Sequence, residues 1–159
     1  MTDEMKMQKA KEVYNTLVRM LDNRNWKYEK VEEDLIIKSG VKSDDFPVTF
    51  IIEVRPKNEL VRFLSWMPFN IPDDKRIDAA IAVNVANYGL IDGSFDYDLN
   101  DGEMRFRLTS SYRNSTLSED LFEYMIVCAA STVDQYNDRF FMLAKGMMTL
   151  EQFIEKDNT

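Results

Sequence analysis

The sequence contains no histidine, one cysteine (Cys128) and only five glycines, which are scattered singly along the chain. Histidine is the usual acid/base group near neutral pH and the commonest metal ligand, so its absence removes the main source of both chemistries. Cysteine and histidine clusters for zinc and glycine-rich phosphate loops are also missing, and a lone cysteine cannot form an internal disulfide. We therefore expect no catalytic residue, no metal and no cofactor, and a binding protein is the default interpretation.

Positive charge is scarce as well. The chain has 20 Lys and Arg but 28 Asp and Glu, which gives a net charge of −8. No run of Lys or Arg interrupts this acidic balance, so neither nucleic acid nor a membrane surface is expected as a partner. No apolar run reaches about 18 residues, and the first residues lack the pattern of a secretion leader. These absences predict a cytoplasmic protein.

What is present suffices for a packed core, since 45% of the 159 residues are hydrophobic and 12% are aromatic; we expect one domain over residues 1–159. Hydrophobic periodicity predicts helices at about 3–22, 75–88 and 116–146, and a short tail helix opened by a capping box at Thr149. Alternation predicts strands at 26–31, 35–41, 47–55, 60–67, 93–99 and 103–110. The order α-β-β-β-β-α-β-β-α predicts an α+β fold, with helices on one face of an antiparallel sheet. The core stripe expected for helix 75–88 is Ile77, Ala80, Ile81, Asn84, Val85 and Tyr88.

The last two strands form a hairpin whose register is predicted from charge and apolar pairing. A two-residue turn at Asp101-Gly102 sets Asp96 opposite Arg107 and Asp98 opposite Arg105. It also pairs the apolar residues Leu99 with Met104, Tyr97 with Phe106, and Phe95 with Leu108. A turn at Asn100-Asp101 would instead set Asp98 against Glu103 and Leu99 against Gly102, so the first register is expected.

Several segments together resemble a known family. They are the helix pattern RIDAAIAVNVAN (76–87), the strand GSFDYD (93–98), the return strand GEMRFR (102–107) and the segment LSEDL (117–121). With the element order, they resemble the YbjN-type family, whose fold is that of the class I type III secretion chaperones. Its members are described as bacterial sensory transduction regulators, and the chaperone relatives are usually dimers that hold an extended peptide. The resemblance implies this fold and protein or peptide binding without catalysis, and it supplies no active-site residues.

The strongest candidate surface lies on the hairpin of strands 47–55 and 60–67. With Lys57-Asn58 at its tip, one face carries the core residues, whereas the opposite face carries Ile51, Leu64 and Trp66 side by side. A contiguous apolar cluster on an uncovered sheet face usually marks an interface. The candidate binding residues are Ile51, Leu64, Trp66 and Phe69. The alternative is that residues 66–71 or the first helix cover this cluster.

Other suggestive features have simpler explanations. Asp96-x-Asp98-x-Asn100 has the opening spacing of a calcium loop, but Asp101 and Arg107 occupy positions that need Gly and Glu. Cys128 lies on the apolar side of its helix, where a buried thiol is unreactive. Asn84 and Asn87 can bind a ligand, but amides at a helix end are more often satisfied by nearby backbone.

Three classes of function follow from these observations. The leading one is a protein- or peptide-binding module, chaperone-like or regulatory, that uses the open sheet face or an edge strand. The second is a homodimeric assembly subunit in which the same patch is only the dimer seam. The third is an enzyme that uses carboxylates alone, with Asp44-Asp45 or Asp73-Asp74 as candidates, but neither pair has a partner nucleophile.

Overall fold

The computed structural model describes residues 1–158. The helices are α1 (Asp3–Asn23), α2 (Arg76–Tyr88), α3 (Glu119–Ala144) and α4 (Leu150–Asp157). The strands are β1 (Tyr28–Val31), β2 (Ile36–Val41), β3 (Val48–Arg55), β4 (Leu60–Trp66), β5 (Ser94–Tyr97) and β6 (Met104–Ser111), with 3-10 turns at Glu32–Asp34 and Asp73–Lys75. The strands form one six-stranded antiparallel sheet in the order β1-β2-β3-β4-β6-β5. The predicted α+β fold is confirmed.

The helices begin where side chains satisfy their first backbone N–H groups. Thr2 accepts a hydrogen bond from the Met5 N–H at 3.2 Å and caps α1. At α4, Thr149 and Gln152 form the predicted capping box, with reciprocal bonds of 2.9 and 3.1 Å. The long helix α3 begins later than predicted because Ser118, not Thr116, accepts the bond from the Leu121 N–H at 3.1 Å.

The hairpin of β3 and β4 has the predicted register, in which Ile51 pairs with Leu64 and Glu53 with Arg62. Alternation along β3 buries Val48, Phe50, Ile52 and Val54 at 3% exposure or less. The helices α1 and α3 pack against this side of β3. The core therefore lies between the sheet and the helices, and the other face of β3 and β4 points away from it.

The predicted register of the β5–β6 hairpin is wrong. The structure pairs Phe95 with Phe106, Asp96 with Arg105 and Tyr97 with Met104, which is the pairing of the rejected alternative. The Asp98 N–H bonds to the Glu103 carbonyl at 2.9 Å, so the loop between them is longer than a two-residue turn. Its conformation is stabilised from outside the hairpin, because the Gly102 carbonyl accepts a bond from the Ile71 N–H at 2.9 Å.

The predicted core stripe of α2 is also wrong. The buried residues of α2 are the small side chains Ala79, Ala82, Val83 and Ala86, whereas Ile77 and Tyr88 are 68% and 93% exposed. Small residues let α2 lie close to its neighbours α4 and β5. The larger apolar side chains are left on the outer surface. Within residues 1–158, no helix is both long enough and apolar enough to span a bilayer.

Candidate functional site: the open sheet face

The open sheet face is the side of β3, β4 and β6 that points away from the helices. Ile51 and Leu64 are cross-strand partners there, and Trp66 follows Leu64 on the same side of β4. Leu64 is only 2% exposed, because its neighbours on this face cover it, whereas Trp66 is 39% exposed. Ile51 is half-buried. The three side chains thus form an apolar centre in which Leu64 is the floor and Trp66 the accessible part.

Two neighbours hold the Trp66 ring. Its Nε1–H donates to the Glu103 carboxylate at 3.2 Å, and the Arg105 guanidinium lies 5.9 Å from the ring centre, within the range of a cation–π contact. Arg105 is also the cross-strand partner of Trp66. The indole therefore keeps a defined orientation although much of it contacts solvent.

The chain after Trp66 does not return over this centre. The Met67 N–H bonds to the Met104 carbonyl at 2.9 Å, and both Met67 and Ile71 are buried in the core. Phe69, the fourth candidate residue, packs against Phe46 and Phe141 with ring centres 6.2 and 5.5 Å apart. The structure therefore brings Ile51, Leu64 and Trp66 together and places Phe69 apart from them, against α3.

Four arginines lie beside the apolar centre on β3, β4 and β6, and we call Arg55, Arg62, Arg105 and Arg107 the arginine cluster. Arg62 and Arg55 both bind Glu53, at 2.8 and 3.4 Å. Arg105 and Arg107 both bind the Asp96 carboxylate, at 3.0 and 2.9 Å. This cluster is not evident from the sequence because its members come from three strands. The sequence feature that could have indicated it is the pair Arg105 and Arg107, because residues at alternate positions of a strand lie on the same face.

The charges of these pairs affect one another. Burial alone would raise the pKa of Asp96, but hydrogen bonds from Arg107 and Arg105 and their positive charge hold the pKa below its ordinary value. The hydrogen bond and charge of Asp96 raise the pKa of Arg107 in turn. Asp96 is therefore a carboxylate, and Arg107 a cation, throughout the neutral range.

A groove of about 500 Å³ opens over this part of the face, lined by the arginine cluster and Asp96 together with Asn58, Leu60 and Thr109. A second depression, of about 430 Å³, lies toward the β5–β6 loop, where Asp98 and Glu103 line it. We call the groove the basic end of the open face and the second depression its acidic end, although Asp96 and Arg105 line both. Such a surface is complementary to a chain that carries acidic residues at one end and basic residues at the other. Its described residues do not place a nucleophile beside a base.

Several of the other candidate groups have structural partners. Asn87 bonds to the Phe95 backbone, and the Asp73 carboxylate bonds to Arg76 at 2.6 Å. In the hairpin loop, the Asp98 and Asp101 carboxylates accept the N–H groups of Asn100 and Glu103, both at 2.8 Å. Among the described residues, no group of three or more acidic or cysteine side chains is arranged to hold a metal ion.

Residues 14–142 match the model of the YbjN family, described as "Putative bacterial sensory transduction regulator". The chain belongs to the YbjN family. This match covers most of the elements that form the sheet and its helices. Among curated proteins, none matches the sequence.

Solved structures share the fold of this YbjN-family chain. One is the crystal structure of YbjN, "a putative transcription regulator from E. coli", with a TM-score of 0.58, 10% identity and coverage of 79% of this chain and 92% of that one. The HopA1–SchA chaperone–effector complex matches with a TM-score of 0.57, 10% identity and coverage of 83% and 97%. The ExsC–ExsE complex matches with a TM-score of 0.53, 12% identity and coverage of 80% and 92%. These similarities show the fold.

Proposed function

We propose that this chain is a non-catalytic module that binds a protein or peptide on its open sheet face, in a chaperone-like or regulatory role. The observation that carries the proposal is the apolar centre formed by Ile51, Leu64 and Trp66 on a face without a covering helix. Burying a partly exposed tryptophan in a partner is among the most favourable contacts that an interface makes. The fold match to a chaperone–effector complex supports the same class of function.

The edge strands support this role less well than the face. Strand addition needs a free row of backbone N–H and C=O groups at an edge of the sheet. At β5, the Asn87 amide already binds both backbone groups of Phe95. At the other edge, β1 has only four residues. The open face therefore offers the larger surface.

Replacing Trp66 tests the proposal. Trp66→Ala removes the accessible part of the apolar centre, and truncation of an interface tryptophan commonly costs about 2 kcal/mol or more in affinity. The matched control is Met5→Ala, which truncates an exposed apolar side chain on α1. Proteins retained from the native lysate by the wild type and by each variant would be quantified by mass spectrometry, with the melting temperature measured in parallel.

The expected result is a set of proteins retained by the wild type and by Met5→Ala and lost from Trp66→Ala, at a melting temperature within a few degrees of the wild type. Equal retention by all three chains would show that the open face is not the binding site. A melting temperature lowered by many degrees, with a wild-type Trp66 protected from a fluorescence quencher, would assign the side chain to the core instead.

A homodimeric assembly subunit is the second candidate function, and the outer surface of α2 favours it. Ile77, Ile81 and Tyr88 lie four and seven residues apart on one side of this helix, and all three are exposed. Ile91, in the following loop, is 99% exposed. An apolar stripe of this kind on a helix surface marks an interaction site, and a second copy of the chain is the simplest partner.

Sedimentation velocity over a range of concentrations distinguishes the two surfaces. A dimer that dissociates in Ile77→Glu/Ile81→Glu places the seam on α2. A dimer that dissociates in Trp66→Ala makes the open face the seam and contradicts partner binding there. A wild-type chain that remains monomeric at all concentrations rejects the second candidate.

A further inference from the structure

The arginine cluster gathers positive charge that the chain otherwise lacks. Glu53 is shared by Arg55 and Arg62, and Asp96 is shared by Arg105 and Arg107. Four guanidinium groups thus face two carboxylates, which leaves two positive charges on this end of the open face. The whole chain has a net charge of −8, so this local excess is opposite in sign to the rest of the molecule.

The guanidinium groups also retain capacity to bind. Each carries five N–H donors, more than a shared carboxylate can accept. The side chains of Arg55 and Arg107 remain 41% and 40% exposed, although both take part in ion pairs. Both side chains line the groove over β3, β4 and β6. A carboxylate that enters the groove can therefore form charge-assisted hydrogen bonds without displacing Glu53 or Asp96.

The basic end and the apolar centre have the spacing of an extended chain. Arg62, Leu64 and Trp66 lie on the same side of β4 at alternate positions, so successive side chains are about 6.6–6.8 Å apart along the strand. The side chains of an extended peptide on the sheet repeat at the same distance. Arg107 pairs with Leu64, which is one alternate position from Trp66, so a segment with an acidic residue two positions from an apolar residue would place the carboxylate near Arg107 and the apolar side chain near Trp66.

We propose that the arginine cluster binds the carboxylates of an extended acidic segment of a protein partner, whose next apolar side chain rests on Ile51 and Trp66. This rests on the proposed function of the open face and adds the chemistry of the partner. A nucleic acid matches the site less well, because its phosphates continue past the groove toward Asp98 and Glu103 at the acidic end. A short acidic segment places its charge only at the basic end.

Selection from a random peptide library displayed on phage tests this proposal. The immobilised proteins are the wild type, Arg62→Gln/Arg107→Gln, Trp66→Ala, and the charge-matched control Lys11→Gln/Arg19→Gln on the exposed side of α1. In the arginine variant, Glu53 keeps Arg55 and Asp96 keeps Arg105, so the fold should persist. Should that variant unfold, the exposed Arg55→Gln carries the same test.

The expected result is enrichment of peptides with Asp or Glu two positions from an apolar residue. By fluorescence anisotropy, these peptides should bind the control as tightly as the wild type. Binding to Arg62→Gln/Arg107→Gln should be at least about tenfold weaker, since the variant removes charge-assisted hydrogen bonds to the peptide carboxylate. Binding should also weaken as salt is raised.

Three other results would contradict the proposal in different ways. Enriched peptides that lack acidic residues but still require Trp66 would overturn acid recognition and leave the open face as a binding site. Failure to enrich any peptide that requires Trp66 would overturn both. A DNA oligonucleotide that binds more tightly than the acidic peptides, through the same arginines, would replace a protein partner with a nucleic acid.

Discussion

The side-chain amide of Asn87 pairs with the backbone of Phe95 as an additional strand would. Its Nδ2 donates to the Phe95 carbonyl at 3.0 Å, and its Oδ1 accepts the Phe95 N–H at 2.7 Å. Phe95 belongs to β5, which is the last strand of the sheet. A residue of α2 therefore satisfies the outer edge of β5 at this position and joins the helix to the sheet.

Removing this amide should destabilise the protein measurably. Asn87→Ala leaves a part-buried N–H and C=O of Phe95 without their partner, which costs about 1–3 kcal/mol for unsatisfied buried groups. Asn84→Ala, on the exposed side of the same helix, is the control for the change in helix propensity. Urea unfolding measures both, and equal free energies of unfolding would contradict the structural role of Asn87.

Two glycines should respond in opposite ways to alanine. Gly102 has a φ of +78°, and an added Cβ would lie 2.1 Å from the Ile71 carbonyl oxygen. Gly102→Ala must therefore displace the Ile71 segment, and we expect a loss of more than about 1 kcal/mol. Gly89 has a φ of −87°, and its nearest contact would be 3.8 Å away, so Gly89→Ala should be neutral or stabilising by about 0.4–1 kcal/mol. Thermal unfolding of the two variants decides this, and a loss of stability in Gly89→Ala alone would refute it.

Stability at high pH should depend on Tyr136. Burial and a hydrogen bond to the Asp157 carboxylate raise the pKa of Tyr136 to about 12, whereas an unfolded tyrosine titrates near pH 10. Its contribution is therefore complete below pH 10 and is lost as the pH rises from 10 to 12. Tyr136→Phe should show a shallower loss of stability over this interval than the wild type. Tyr88→Phe, at an exposed position, should follow the wild type, and identical curves for all three chains would contradict the pKa shift.

The Asp96 to Gly102 segment should not bind calcium. Asp96 is held by two arginines, and the Asp98 and Asp101 carboxylates accept backbone N–H groups within the loop. Calcium needs six to eight oxygen ligands in one cage, and these oxygens are committed elsewhere. Titration calorimetry should detect no saturable binding at micromolar Ca²⁺. Binding that disappears in Asp96→Ala would show that the loop rearranges around the ion.

Local sequence chemistry predicted the β3–β4 hairpin but not the β5–β6 hairpin. In the first, alternation along both strands agrees with the short turn that joins them, so one register satisfies both faces. In the second, pairing energies within the hairpin favoured Asp98 opposite Arg105. In the observed register, the Ile71 N–H donates a hydrogen bond to the Gly102 carbonyl. Asp96 still binds Arg107, which now lies diagonally across from it. The observed register thus goes with a contact from elsewhere in the chain, which pairing within the hairpin does not include.

The candidate site was predicted in part for a similar reason. Alternation placed Ile51, Leu64 and Trp66 together, because neighbouring positions on one face follow from hairpin register alone. It did not show that Leu64 is the buried floor, or that Phe69 turns to Phe141, since both depend on packing. On α2, size decided orientation: alanines allow close approach, so Ile77 and Tyr88 face outward although their periodicity is that of a core stripe.

The neighbouring position of β4 and β6 has a consequence for folding during synthesis. Leu60 pairs with Ser111, the last residue of β6, so the centre of the sheet closes completely only after α2, β5 and all of β6 have left the ribosome. Until then, β4 has one row of unpaired backbone groups, and Val61 and Phe63 lie beside that open edge. Such an edge is a template for pairing with other chains. The nascent N-terminal half is therefore the stage at which this protein is most exposed to misassembly, and completion of β6 ends it.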